Sequence, residues 1–359
     1  MRIVTLINGL NNGGAEKFAV ELCNELSHRH EVFLLVKCSL NESSLPFKKL
    51  NDNVKLIVFN SGVKWDLIFA LKLFTTLLKL KPNVIHLHSS ILIFYTFFFF
   101  KLLKGCKIVQ TIHSQVTPAY IKAVKWSRSF SPLGCQIEHV VISEKIRSEF
   151  IKVFPNIPFI AIENGVEPLV SKMEVEDKWK DQRKRLVAIG NFTAAKRFDL
   201  LSDVIVFPEI ASRYTLQIIG FEKGKDQPVT RYIISKGAEN IELVGLRENV
   251  GDYLNHADGL VIWSSFEGMP LVMLEALSMG CPVISSPVGG IPDVIQSGQC
   301  GILTKGLNQV DLKEALIQFD NLDEQGIEGM RQRCKDLFQE KFTMDICSRK
   351  YESLFYSRA

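Results

Sequence analysis

Short β-prone runs and helical segments take turns along this chain twice, and that alternation leaves few folds open. Apolar, β-branched stretches over residues 2–7, 32–36, 54–59, 84–88, 107–113, 139–142 and 159–162 read as strands. Between them, residues 15–27 and 66–80 carry helical spacing, and the apolar run 91–103 reads as a buried helix. Strands alternating with helices imply parallel crossover units and a doubly wound sheet. A charged stretch, 174–185, interrupts the pattern as a linker would. Beyond it, strands are expected over 185–189, 216–219, 241–244, 259–263, 282–285 and 301–303, with a helix over 270–279 and a mostly helical tail after 311. The expectation is two α/β domains, 1–165 and 166–343, facing each other across a cleft. Open α/β sheets bind ligands beyond the carboxyl ends of their strands, so the loops there are the first place to look for chemistry.

Composition sharpens this. With 359 residues, 47% of them hydrophobic and 23% charged, the chain is neither disordered nor of low complexity. Its net charge of +4 conceals a division. Residues 1–165 carry 20 Lys/Arg against 11 Asp/Glu, whereas residues 166–359 carry 23 against 28. A basic half joined to an acidic half suits two domains that meet different partners. The eight cysteines form no CxxC pair and no Cys/His cluster, so neither a zinc site nor a disulfide framework is indicated. The opening MRIVTLING reads as a first strand rather than a secretory signal, which suits a cytoplasmic protein. The longest apolar run, residues 91–100, is half of the roughly 20 residues that a membrane-spanning helix needs.

The strongest constellation is SSFEGMPLVMLEALSMGCPVISSPVGGIPDVI. Glu267 and Glu275 bracket a turn of Gly268, Met269 and Pro270 and the start of a helix, with Pro270 expected at its first position and Leu271 after it. The free N–H groups and dipole of such a helix end attract anions. Carboxylates beside an anion site make sense as grips for the hydroxyls of a ribose or hexose. An acidic first turn that merely favours the helix dipole, by about 0.3–1 kcal/mol, would look similar in isolation. The flanking Gly280-Cys281-Pro282 and Gly289-Gly290 loops argue for the site. In IGNFTAAKRFDLL, Lys196 and Arg197 follow the second domain's first strand, where a lysine can neutralise a diphosphate. In the first domain, NGLNNGGAEKF is a Gly-rich strand-to-helix loop. It is not GxGxxG, which argues against a dinucleotide oxidoreductase. Gly13 and Gly14 would let a ligand approach the backbone, and Glu16 reads as a helix-start charge. His113 ends a strand at the carboxyl edge of the sheet, while His86 and His88 read as structural.

Taken in order, these pieces resemble family 4 glycosyltransferases of the GT-B fold, which are retaining and use nucleotide sugars. The resemblance runs nearly end to end, from Gly13-Gly14-Ala15-Glu16 through Thr111-Ile112-His113, Ser143, Asn164-Gly165-Val166, Lys196 and the Glu267 to Glu275 block to KFTMDICSRKYESLFYS. It implies that Lys196 holds the donor diphosphate and Glu275 the ribose. It places Glu267, with the backbone from Gly268 to Leu271, near the donor sugar. Gly14 would approach the diphosphate, His113 would lie beside the sugar, and the last helix, 344–359, would pack back on the first domain. The family often has an arginine where this chain has Asn191, which implies either weaker leaving-group stabilisation or compensation by Arg197 or another basic residue. Residues that read the base are expected near Gly245 and Leu246. No metal or cofactor is implied beyond the donor co-substrate, a UDP-sugar in preference to a GDP-sugar.

For the basic half, an anionic membrane is the expected partner. On a helix from 64 to 80, Leu67, Leu71, Phe74 and Leu78 would form the buried stripe. Trp65, Phe69, Lys72, Thr76 and Lys79 would face outward, aromatics among lysines. No nucleic-acid-binding pattern accompanies the positive charge. The expected enzyme is therefore a peripheral transferase at the cytoplasmic membrane face, extending a lipopolysaccharide, capsule or lipid-linked glycan. The alternatives are a nucleotide-sugar epimerase of the same fold and a catalytically silent, membrane-docked subunit of a glycan assembly complex.

Overall fold

The computed structural model describes residues 1–63, 66–97, 105–128, 137–172, 182–224 and 226–357. Trp65, the end of the 91–103 helix and most of the charged linker lie outside the described residues. The chain divides into two compact units, Met1–Gly165 with Met344–Ala359, and Val166–Thr343.

The first unit holds strands β1 (Arg2–Ile7), β2 (Glu31–Val36), β3 (Lys55–Val58), β4 (Val84–Leu87), β5 (Lys107–Ile112), β6 (Ile137–Val141) and β7 (Phe159–Ala161). They form a parallel sheet in the order β3-β2-β1-β4-β5-β6-β7. Helices α1 (Gly14–Ser27), α2 (Leu45–Lys48), α3 (Leu67–Leu80), α4 (Ser90–Phe97), α5 (Pro118–Arg128) and α6 (Glu144–Val153) make the connections. A parallel sheet covered on both faces needs strands apolar on both faces, and β1, β2, β4 and β5 are buried along nearly their whole length.

The second unit repeats the plan with β8 (Lys184–Ile189), β9 (Tyr214–Ile219), β10 (Ile241–Gly245), β11 (Gly259–Ile262), β12 (Val283–Ser285) and β13 (Gly301–Leu303). Their order is β10-β9-β8-β11-β12-β13, again parallel. Helices α7 (Phe198–Ile205), α8 (Pro208–Ala211), α9 (Pro228–Ser235), α10 (Val250–His256), α11 (Leu271–Ser278), α12 (Ile291–Gly298), α13 (Gln309–Asp320) and α14 (Glu324–Leu337) surround the sheet. Trp263, Tyr214 and Phe319 are fully buried in its core. The strand order reverses between β1 and β4 in one unit and between β8 and β11 in the other, which defines the two switch points.

The last helix, α15 (Met344–Tyr356), belongs to the first unit and packs on α1. Tyr351, Leu354 and Phe355 are buried there. The hydroxyls of Tyr351 and Thr111 are 2.8 Å apart. Glu352 accepts from Arg29 Nε at 2.8 Å and lies 2.7 Å from His30 Nε2. Each buried apolar side chain is worth about 1.5–3 kcal/mol, so this attachment outweighs the half-exposed ion pair beside it.

Helix α3 is turned over relative to the sequence expectation. Phe69, expected outside, is only 1% exposed, and Leu73 and Leu77 are buried with it. Leu67, Leu71 and Leu78, expected inside, are 75%, 54% and 38% exposed, and Ile68 is 66% exposed. The cause lies at the helix entry. Asp66 accepts from the Phe69 N–H at 2.9 Å and from Ser61 Oγ at 2.6 Å, while its own N–H donates to Tyr95 Oη at 2.8 Å. Those bonds set the rotation so that Phe69 meets Phe59 and Tyr95 edge-on, with ring centroids 5.1 and 4.8 Å away. Because LIFALKLFTTLLKL is apolar on nearly every face, its periodicity does not select one, and its neighbours do.

Candidate active site

In the second unit, the loops after β8 and β11 flank the switch point, and they carry Lys196 and Glu267 respectively. Lys196 closes a 3₁₀ turn, Ala194–Lys196, whose first bonds run from Thr193 N–H to the Asn191 carbonyl at 2.8 Å and from Lys196 N–H to the Thr193 carbonyl at 2.9 Å. Asn191 thus serves the turn through its backbone. The two loops are clipped together where Ser265 N–H donates to the Ala195 carbonyl at 2.8 Å. Across them Lys196 Nζ reaches Glu267 Oε1 at 2.7 Å, and Ser264 Oγ donates to the same oxygen at 2.6 Å. Both charged side chains are largely sheltered, at 22% and 12% exposure, so the pair is less screened than a surface one. Lys196 lies over Gly190, where a Cβ would stand 3.1 Å from its Cε.

The turn after Glu267 is held by the Gly289-Gly290 loop. Gly290 N–H donates to the Gly268 carbonyl at 2.6 Å. Gly289 has φ +61°, and a Cβ there would sit 2.1 Å from the Glu267 carbonyl oxygen, so only glycine fits. Pro270 is the N-cap of α11, one position earlier than expected, with φ −69° and ψ 124°; Leu271 is the first helical residue. Pro270 offers no capping side chain, which leaves the first N–H groups of α11 without one. Met269 and Leu271 are buried beneath the turn, and Glu275 is buried in the second turn of α11.

Arg197 points elsewhere. Its Nη2 donates to the Leu307 carbonyl at 2.8 Å, and its guanidinium lies 5.1 Å from the ring centre of Trp263. Gly245 ends β10 with φ +80°, and the neighbouring Leu246 is 40% exposed.

In the first unit, Gly13 is the N-cap of α1 and Gly14 its first residue. A Cβ on Gly13 would collide with Glu16 Oε2 at 2.2 Å, whereas above Gly14 lies open space. Asn12 Oδ1 accepts from Leu45 N–H at 2.8 Å and ties this loop to α2. His113 follows β5, and its ring meets Phe18 edge-on at 5.4 Å. His113 Nε2 is 2.8 Å from His88 Nδ1. Burial keeps these imidazoles neutral, drawing His113 down to about 4, His86 to about 3 and His88 well below its ordinary value. Phe69 is withdrawn into the core, while Lys72 and Lys79 are exposed on α3. Among the described residues, no group of three or more His, Cys, Asp or Glu side chains is placed to hold a metal ion, and no helix is long and apolar enough to cross a membrane.

Of the residues expected in the second unit, Lys196, Glu267 and the turn from Gly268 to Leu271 meet beside the switch point, whereas Arg197 is turned onto Trp263 and Gly245 and Leu246 follow β10, two strands from β8. Ser264, which fixes Glu267, went unread. Its signal is the hydroxyl three residues ahead of the glutamate. His88, structural on the sequence alone, bonds the ring expected to meet the sugar.

Two family models match the chain, one in each unit. The model described as glycosyltransferase family 4 matches residues 12–168, and that described as glycosyl transferases group 1 matches residues 183–320. The N-acetyl-alpha-D-glucosaminyl L-malate synthase of Bacillus anthracis is 25% identical, covering 96% of this chain and 94% of the relative. An alpha-1,4-N-acetyl-D-galactosaminyltransferase of Campylobacter jejuni, named for an undecaprenol-diphosphate-linked glycan acceptor, is 26% identical over 94% of each chain. In structure, Anabaena HepE in complex with UDP and glucose superposes over 100% of both chains with a TM-score of 0.82 at 15% identity. Two doubly wound units, their switch-point loops and both family models agree: the chain is a glycosyltransferase of the GT-B fold and belongs to family 4.

Proposed function

We propose that this transferase moves a sugar, with retention, from a nucleotide-diphosphate sugar to a growing glycan on a lipid carrier at an anionic membrane surface. The observation that carries the donor half is the sheltered Lys196–Glu267 pair, 2.7 Å apart beside the uncapped start of α11. A diphosphate placed there meets an ammonium already aimed by a carboxylate and helix N–H groups that no side chain caps. Such preorganised donors stabilise a departing diphosphate without rearrangement, the work a divalent ion would otherwise do. Glu267, freed from part of its pairing, can then accept from a sugar hydroxyl, with Gly268, Met269, Pro270 and Leu271 forming the wall behind. Glu275 holds the ribose, and Gly245 and Leu246 border the base. Lys196 rather than Arg197 carries the diphosphate, since Arg197 is engaged by the Leu307 carbonyl and Trp263. A UDP-sugar is the favoured donor, as HepE binds UDP.

The acceptor half rests on α3. Leu67, Ile68 and Leu71 stand exposed beside Lys72 and Lys79. Apolar side chains ringed by lysine suit insertion among anionic headgroups better than recognition of a small hydroxy acid such as malate. The Campylobacter relative, with its polyprenol-linked acceptor, is the nearer chemical parallel. The epimerase and silent-subunit alternatives draw no support from the relatives.

A thermal-shift panel tests the donor. UDP-sugars should raise the melting temperature and GDP-sugars should not, and Glu275→Ala should remain folded while losing both the shift and transfer. Wild-type transfer by the Glu275→Ala variant would sink the assignment.

A further inference from the structure

A line of histidines lies beneath the carboxyl end of the first unit's sheet. His88 follows β4, His113 follows β5, and their rings are within 18° of parallel with centroids 5.1 Å apart. With Nδ1 of one 2.8 Å from Nε2 of the other, the rings meet edge to edge in one hydrogen bond. Behind them His86 lies 4.2 Å from the His88 ring, and its Nε2 is 2.7 Å from Thr111 Oγ1, which is in turn 2.8 Å from Tyr351 Oη. The last helix of the chain thus buttresses the pair.

Both rings are neutral, so a single proton lies between them, and its placement decides both tautomers. If His113 donated, His88 would carry its proton on Nε2, which is buried with no hydrogen-bond partner. A buried N–H left unmade costs about 1–3 kcal/mol, and orphaned donors are rarer than under-satisfied acceptors. If His88 donates, its Nε2 is a bare lone pair and His113 must carry its own proton on Nδ1. That atom is not among the buried unpartnered ones, and among the described residues nothing else takes it.

We propose that His88 is a positioning residue: by donating from Nδ1 to His113 Nε2 it locks His113 in the tautomer that offers an Nδ1–H donor to an oxygen of the donor sugar or its phosphate. The ligand in this statement rests on the function proposed above; the tautomer does not. A hydrogen-bond donor fixed before binding needs no reorganisation during transfer, whereas the other tautomer would present a lone pair to oxygen lone pairs.

Long-range ¹H–¹⁵N correlation spectra of the histidine-labelled full chain at pH 7.5 decide the tautomer directly. The wild type should show His113 protonated on Nδ1 alone, and His88→Leu, which removes the bond to Nε2, should no longer hold it in a single tautomer. His88→Asn, whose side-chain amide can donate from nearly the same place, should restore it. In transfer assays His88→Leu should lower kcat about 10²-fold, the loss typical of one preorganised donor, with KM for the nucleotide sugar little changed and partial rescue in His88→Asn. An Nε2-protonated His113 in the wild type overturns the proposal even if every variant fails to fold. So does His88→Leu with an unchanged His113 tautomer and kcat. A correct tautomer in a wild-type chain that turns over no nucleotide sugar would instead refute the functional reading and, with it, the role of His88.

Discussion

At the scale of single residues, two glycines separate a structural need from a functional one. Gly289 has φ +61° and its missing Cβ would overlap the Glu267 carbonyl at 2.1 Å, so Gly289→Ala must displace the turn that follows Glu267. A cost above about 2 kcal/mol and a collapse of transfer are expected together. Gly14 is the opposite case, since a methyl there meets nothing within 4 Å. In the first turn of a helix, Ala is favoured over Gly by up to about 1 kcal/mol, so Gly14→Ala should melt no lower than wild type. If a diphosphate occupies that space, the same variant loses at least about tenfold in transfer, because a methyl stands where the ligand must approach. A Gly14→Ala enzyme of normal activity would show that the space is idle. Glu267, Glu275 and Lys196 stand out in the sequence as candidates because their spacing around strand ends is itself the signal. The bond between His88 and His113 is not legible in the sequence, since partners 25 residues apart are joined only by strand pairing.

At the scale of elements, strands were legible almost to the residue, because parallel strands buried on both faces leave unbroken apolar runs. Helix α3 was legible in extent but not in rotation, because leucines and phenylalanines occupy most of its circumference. The Asp66 cap and the aromatic contacts of Phe69 settled which face went inside. That reversal moves the proposed membrane contact from aromatic side chains to Leu67, Ile68 and Leu71. Replacing those three by serine should leave the melting temperature near wild type, since they are exposed already. Co-sedimentation with vesicles rich in phosphatidylglycerol should fall several-fold, with little effect on neutral vesicles in either protein. Phe69→Ala should do the reverse, costing about 3–5 kcal/mol of stability as a buried aromatic does, and it serves as the control for fold loss. Equal vesicle binding by the triple-serine variant and the wild type would remove α3 from the acceptor side.

At the scale of the whole molecule, the division between the units extends beyond net charge to the groups that titrate near neutrality. Six of the seven histidines belong to the first unit, and His86, His88 and His139 are buried in it. His139 is held down to about 4 by burial and by Arg128, and its Nδ1 lies 2.7 Å from Tyr120 Oη. With His86 drawn down to about 3, the folded unit excludes protons that its unfolded form binds below about pH 6.5. Stability from these groups is therefore complete above that pH and falls as the pH drops toward 4, where the folded form begins to protonate too. Each fully excluded proton contributes a slope of about 1.4 kcal/mol per pH unit, against a total stability of about 5–15 kcal/mol. The second unit has only one histidine, His256, which is half-buried. Hydrogen exchange followed by mass spectrometry from pH 7.5 to 5, corrected for intrinsic rates, should show peptides of β4, β5 and β6 losing protection ahead of those of β8, β9 and β11. His139→Asn, which keeps a polar partner for Tyr120 but cannot titrate, should reduce the pH slope of the first unit by nearly one proton's worth. Parallel loss in both units, or an unchanged slope in His139→Asn, would mean that acid acts on this fold through carboxylates instead.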